Sequence, residues 1–178
     1  MKLPLNCTVE YINSFLSFQE SKELFDQLTN EYDIANLNIL TGGKNNRSDF
    51  GKLMFIDQAL HDANAFPESL WGKSVIWSDI LLPIKARIEQ LTRKEYKTCV
   101  CIYYPNGLSG VGYHSDYRAF GDTSVIPSLS IGEEREFCLR EKSTMEEHRL
   151  LLKQGSLLIM GENCQERYEH SLPVDPSI

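Results

Sequence analysis

The spacing of apolar positions changes just past the middle of the chain. Before it, the intervals are helical. Leu24, Phe25, Leu28 and Tyr32 recur at one-turn intervals after Ser17 and Glu20, whose three-residue separation is that of a capping box. Ile80, Ile84, Ile88 and Leu91 form a second stripe and predict a helix over 78–93, with Pro83 either in its first turn or at a kink. Residues 36–40 read as a short strand. Residues 41–51 read as a polar, Gly-rich loop carrying Lys44 and Arg47, a solvated connection by default.

From Thr98 onward the apolar segments are short, β-rich and separated by turn residues. They fall at 98–104, 111–116, 125–131, 136–140, 148–152, 156–160 and 167–172. Pro105-Asn106-Gly107, Gly132, Lys153-Gln154-Gly155 and Gly161 punctuate them. Such spacing predicts a sandwich or barrel. The expected fold class is α+β, with N-terminal helices packed on a C-terminal β core. The expected organisation is one domain over 1–178, with 1–95 as a helix-and-strand extension and 96–178 as the core.

Composition narrows the class of protein. The chain has 178 residues, of which 42% are hydrophobic and 24% charged. That is globular, and excludes a disordered tail or a fibre. No window approaches the ~18 apolar residues of a membrane span, and the N-terminus lacks the apolar run of a secretory signal. Five cysteines without framework spacing read as reduced thiols in a cytoplasmic protein. A net charge of -7 argues against holding nucleic acid by bulk charge, though not against local basic contacts.

Only four histidines are present. His114 and Asp116 stand as His-Ser-Asp at the end of a strand candidate, where residues i and i+2 share a face. His170 lies on a later strand. Two imidazoles and one carboxylate make the facial triad of non-haem Fe(II) oxygenases, which leaves open positions on the metal. His61 in a polar run and His148 after two glutamates read as surface residues.

Over about residues 70–174 the chain resembles the AlkB family of 2-oxoglutarate- and Fe(II)-dependent dioxygenases. The resemblance is carried by CVCIYYPNGLSGVGYHSDYRAFGDTSVIPSLSIGEEREFCLR followed by LLLKQGSLLIMGENCQERYEHSLP, and more weakly by the loop around Gly43-Lys44. It implies a double-stranded β-helix (jelly-roll) core and oxidative removal of alkyl groups, most often from bases in DNA or RNA, with release of formaldehyde. It implies Fe(II) on His114, Asp116 and His170, and 2-oxoglutarate as cosubstrate contacted by Tyr104. Gln165 and Ser171 match motif positions read as structural. Single-stranded or flipped-base nucleic acid would be the partner, with Tyr117 and Arg118 near the substrate and Lys44 and Arg47 near phosphate. For Trp71 and Trp77, core packing is the expectation.

Three positions depart from the family pattern. Ile102 stands where an Asn usually contacts 2-oxoglutarate. Arg118 stands where an acid usually faces the alkylated base, and its guanidinium would repel a cationic base. Asp122 would replace that acid if its loop folds back. Residues 171–178 contain no Lys or Arg, whereas the family places an arginine-bearing strand after the last iron ligand. The expectation is that this last strand has been lost by truncation, or that Arg135 or Arg140 turns inward to supply the charge. The alternatives are the same chemistry on a protein or small-molecule substrate, and a catalytically impaired jelly-roll used for binding.

Overall fold

The computed structural model describes residues 1–41 and 44–178. Its elements run β1 (Val9–Ile12), α1 (Phe18–Asn30), β2 (Asn38–Thr41), β3 (Lys44–Arg47), β4 (Gly51–Ile56), α2 (Gln58–Asp62), α3 (Glu68–Trp71), β5 (Ser74–Ile76) and α4 (Leu81–Thr92). Then follow β6 (Thr98–Tyr103), β7 (Val111–His114), a 3-10 turn (Arg118–Phe120), β8 (Ile126–Ser130), β9 (Arg135–Glu141), β10 (Glu147–Leu152), β11 (Ser156–Met160), α5 (Cys164–Arg167) and β12 (Tyr168–Leu172). Two compact units result: Met1–Phe25 with Gly110–Ile178, and Asp26–Ser109. They do not follow the expected boundary at 95/96. The early strand β1 belongs to the first unit, and β6 pairs with β4 in the second.

The first unit is a jelly roll of two antiparallel sheets, ordered β1-β11-β8 and β10-β9-β12-β7. β11 is buried at every position, because its Ser-Leu-Leu-Ile-Met run lies between β1 and β8. The Tyr11 hydroxyl on β1 donates to Leu151 O on β10 at 3.0 Å and accepts from Lys153 N at 3.0 Å, tying one sheet to the other. The turn into β11 needs Gly155, with φ +72°. A Cβ there would lie 2.7 Å from Leu16 O. The capping box forms as expected. Ser17 N donates to Glu20 Oε2 at 2.7 Å and Glu20 N to Ser17 Oγ at 3.2 Å.

In the second unit β4 is the centre strand, parallel to β5 and antiparallel to β6. Leu53, Met54, Phe55 and Ile56 are all buried. Tyr32 meets the Phe55 ring edge-on at 5.1 Å between centroids, and Trp77 stacks on it at 6.3 Å. Trp71 meets Phe66 edge-on; both tryptophans are half-buried, packing on aromatic rings at the margin of the core and not, as expected, within it. On α4 the buried residues are Leu81 and Ile84, while Leu91 is 46% exposed, so the covered stripe is shorter than the periodicity suggested. Pro83 lies in the first turn, where a missing N–H costs no hydrogen bond.

Two sequence expectations are corrected here. The polar stretch 41–51 is not one loop. Lys44–Arg47 pairs with Asn38–Thr41 as a hairpin, and β4 begins at Gly51. Lys44–Arg47 is wholly polar, so no period-two apolar signal marks it. Its Gly42-Gly43, including part of the weaker resemblance around Gly43-Lys44, lies outside the described residues. The strand expected over 111–116 ends at His114, so Asp116 stands beyond it.

Gly51 permits the closest backbone approach in the second unit. A Cβ there would lie 1.7 Å from Ile34 O, which is backbone and cannot swing aside. Gly51→Ala is expected to destabilise the protein by about 3 kcal/mol, the upper range of overpacking. An unchanged urea midpoint would show that the two backbones do not meet.

Candidate metal centre

All three expected ligands belong to the first unit. His114 ends β7 and His170 is its direct cross-strand partner on β12, so both rings leave the same face of the sheet. Their centroids are 4.4 Å apart. Asp116 joins them with Oδ2 3.6 Å from His170 Nε2. The ligand atoms of His114, Asp116 and His170 lie within 4.8 Å of one another, close enough to share one ion. Strand alternation does not put Asp116 there, since β7 has already ended. Gln165 of α5 does: Asp116 N donates to Gln165 Oε1 at 2.9 Å, and Gln165 Nε2 donates to Asp116 Oδ2 at 3.2 Å.

Hydrogen bonding orients His114, and burial keeps His170 neutral. His114 Nδ1 lies 2.8 Å from Gly112 O. A carbonyl only accepts, so Nδ1 carries a proton, and in the neutral ring that tautomer leaves the Nε2 lone pair for a metal. His170 is buried and stacks on Phe137 at 5.4 Å between centroids. Burial pushes its pKa down to about 4; the Asp116 carboxylate opposes that shift and His114 adds to it. A neutral imidazole is the form that binds metal. Two imidazoles and one carboxylate, with Nε2 of His114 left free, fit Fe(II).

The remaining histidines stand apart. His61 is exposed, as expected. His148 is not a plain surface residue. It is half-buried on β10 opposite Leu139, which itself pairs with His170, so His148 shares the sheet face of the cluster without entering it.

Arg118 starts the 3-10 turn and is exposed, and the neighbouring Tyr117 is 77% exposed. Arg118, Asp122, Glu162, Glu166 and Gln165 line a cavity of about 370 Å³. Asp122 therefore does fold back to the same cavity as Arg118, with Ser124 N and Oγ donating to its carboxylate at 2.9 and 2.8 Å. Gln165 lines this cavity and hydrogen-bonds Asp116 of the cluster.

Of the two arginines offered as inward charges, Arg140 pairs with Glu169 through Nε at 2.8 Å and lies 3.6 Å over the Tyr113 ring. Arg135 is buried on the cluster's own face of β9, the face of Phe137 and Leu139, where Nη2 donates to Pro173 O at 2.8 Å. Tyr104, Lys44 and Arg47 belong to the second unit. There Tyr104 is half-buried 6.2 Å from the Phe50 ring, Ile102 is 37% exposed on β6, and Lys44 and Arg47 are exposed on β3.

A jelly roll presenting a two-histidine, one-carboxylate cluster defines the class: a mononuclear iron oxygenase scaffold. Comparison with known proteins makes the assignment narrower. Residues 8–177 match the model of the 2OG-Fe(II) oxygenase superfamily, and the chain belongs to that family. It is 33% identical over 107 residues to mouse alpha-ketoglutarate-dependent dioxygenase alkB homolog 3, an alignment covering 54% of this chain and 37% of the relative. It is 27% identical over 169 residues to bovine DNA oxidative demethylase ALKBH2, covering 87% of this chain and 59% of that one. The chain thus spans less than two thirds of these relatives. Among solved structures, OsALKBH1 superposes with a TM-score of 0.67 at 13% identity, over 98% of this chain and 88% of that one. A Pseudomonas putida prolyl-4-hydroxylase superposes at 0.60 and 15% identity, over 94% and 85%. These two establish the jelly-roll fold.

Proposed function

We propose that the protein is an Fe(II)- and 2-oxoglutarate-dependent dioxygenase that oxidatively dealkylates alkylated nucleobases in single-stranded or flipped form, with His114, Asp116 and His170 as the iron ligands. The observation that carries the reading is the convergence of those three side chains on one point of a jelly roll whose relatives include a DNA oxidative demethylase. Iron with 2-oxoglutarate and dioxygen supplies the oxidation of the alkyl carbon. The chain supplies geometry. Phe137 walls His170 from water, and Gly112 O keeps His114 Nε2 available.

The cavity beside the cluster supports a cationic substrate. Asp122, Glu162 and Glu166 there outweigh the single guanidinium of Arg118, and opposite charge favours a methylated, positively charged base. Tyr117, exposed at the start of the same segment, offers a stacking face. The motif match supports Tyr104 as a contact of 2-oxoglutarate, and the positive charge of Lys44 and Arg47 suits contact with phosphate. Tyr104→Phe should weaken 2-oxoglutarate binding in calorimetry. The five cysteines, all free thiols, support a reducing compartment such as the cytoplasm.

The test is formaldehyde release from methylated single-stranded oligonucleotides with Fe(II) and 2-oxoglutarate. Release from 1-methyladenine or 3-methylcytosine is expected. Succinate formation without attack on any oligonucleotide would direct the search to proteins or small molecules. Arg118→Asp should raise kcat/KM on those cationic bases several-fold, by about 1 kcal/mol of relieved repulsion. Unchanged rates on both bases would show that Arg118 does not face the substrate.

A further inference from the structure

We propose that Gln165 is a positioning residue for the metal centre: its amide holds Asp116 so that the carboxylate binds iron through one oxygen only. The inference rests on the reading of His114, Asp116 and His170 as the metal ligands.

Asp116 has no strand to fix it, because β7 ends two residues earlier. Its backbone and its side chain are both held by one amide. Asp116 N can only donate, so Gln165 must turn Oε1 toward it, at 2.9 Å. That orientation leaves Nε2 for Asp116 Oδ2, at 3.2 Å. The backbone donor thus settles which way the amide points. The amide itself sits on an anchored segment. Cys164 beside it is buried, Cys164 N donates to Gly161 O at 3.1 Å, and Lys142 Nζ donates to Gln165 O at 2.9 Å.

Asp116 Oδ2 is also the oxygen 3.6 Å from His170 Nε2, so it faces the point where an ion would sit. A donor on that oxygen and a fixed backbone behind it stop the carboxylate rotating to offer both oxygens. A second carboxylate oxygen on the metal would occupy a position that cosubstrate or dioxygen needs. Gln suits this place as Glu does not. Only an amide carries both an acceptor and a donor, and a second carboxylate 3.2 Å from the first would repel it.

The test uses Co(II), whose visible absorption reports coordination number, with the full chain. Gln165→Glu keeps the acceptor and the volume and removes the donor. Gln165→Met keeps the volume and removes both. Each is expected to bind Co(II) ten- to a hundredfold more weakly than wild type, the usual effect of losing a partner behind a ligand. At saturating Co(II) the Met variant should also show an altered visible band, while the thermal midpoint of its metal-free form stays close to that of wild type. His61→Ala, at an exposed histidine outside the cluster, should bind Co(II) as wild type does. Folded Gln165 variants with wild-type affinity and an identical spectrum would overturn the positioning role while leaving the metal site standing. A wild-type chain that binds no Co(II) would overturn both. Should the Met variant not fold, the Glu variant, with its polar end intact, decides the question.

Discussion

Asp116→Ala is expected to abolish 2-oxoglutarate turnover, with loss of at least about a thousandfold, while the protein stays folded. The two halves of that expectation have separate physical grounds. A triad reduced to two histidines loses its only anionic donor. A divalent ion then keeps two neutral ligands, too few to hold it against water. The fold does not depend on this carboxylate. Asp116 is 34% exposed, whereas core residues of the same unit such as Leu139, Leu157 and Leu158 are 0% exposed. Removing a partly exposed side chain opens no core cavity, so a cost of about 1 kcal/mol is expected. It arises mainly from stranding Gln165 Nε2. Succinate formation together with thermal unfolding checks both halves. Turnover at the wild-type rate would remove Asp116 from the metal, and with it the proposed chemistry.

Strands β6 to β12 were legible because their physics is local. They carry short apolar runs, four of them closed by turns that contain Gly, and their expected bounds lie within one or two residues of the observed ones. β1 and β4 went unread for a different reason. β4, Gly-Lys-Leu-Met-Phe-Ile, is a centre strand covered on both sides, so its apolar run has no alternation to announce it. β1 has four residues and earns its place only by pairing with β11, at the other end of the sequence.

At the site, His114 and His170 were legible as a motif, but the reason offered for Asp116 was parity along a strand. The structure replaces that reason with a side chain about 50 residues away, since Gln165 carries Asp116 into place. Two hydrogen bonds from a four-residue helix leave no periodic trace, so only a motif match pointed to Gln165. Asp122 shows the same limit. Its approach to the cavity of Arg118 depends on how the segment after the 3-10 turn closes.

The metal-free protein is expected to lose stability as pH falls from about 6.5 toward 4, and His170 is the cause. Burial lowers its folded pKa to about 4 from the ordinary value of 6.5, with the Asp116 charge opposing and His114 reinforcing the shift. Between those values the unfolded chain takes up a proton that the folded chain refuses. The folded state is therefore fully favoured above pH 6.5 and loses ground progressively on acidification. The whole window amounts to on the order of 3 kcal/mol, and the part between pH 7 and pH 5 to about 2 kcal/mol. The carboxylates of Glu141, Glu147 and Asp175, all held below their ordinary values by hydrogen bonds, lose their contribution only at lower pH. The upper part of the window therefore belongs to the histidine. Urea unfolding of chelator-treated protein at pH 7, 6 and 5 measures it, with His170→Gln alongside. Wild type should fall by about 2 kcal/mol over that range, and the variant, which has no imidazole to protonate at that position, by much less. Parallel curves would mean that the His170 ring takes up its proton as readily in the folded state as in water. Burial would then not be what keeps the ring neutral below pH 6.5.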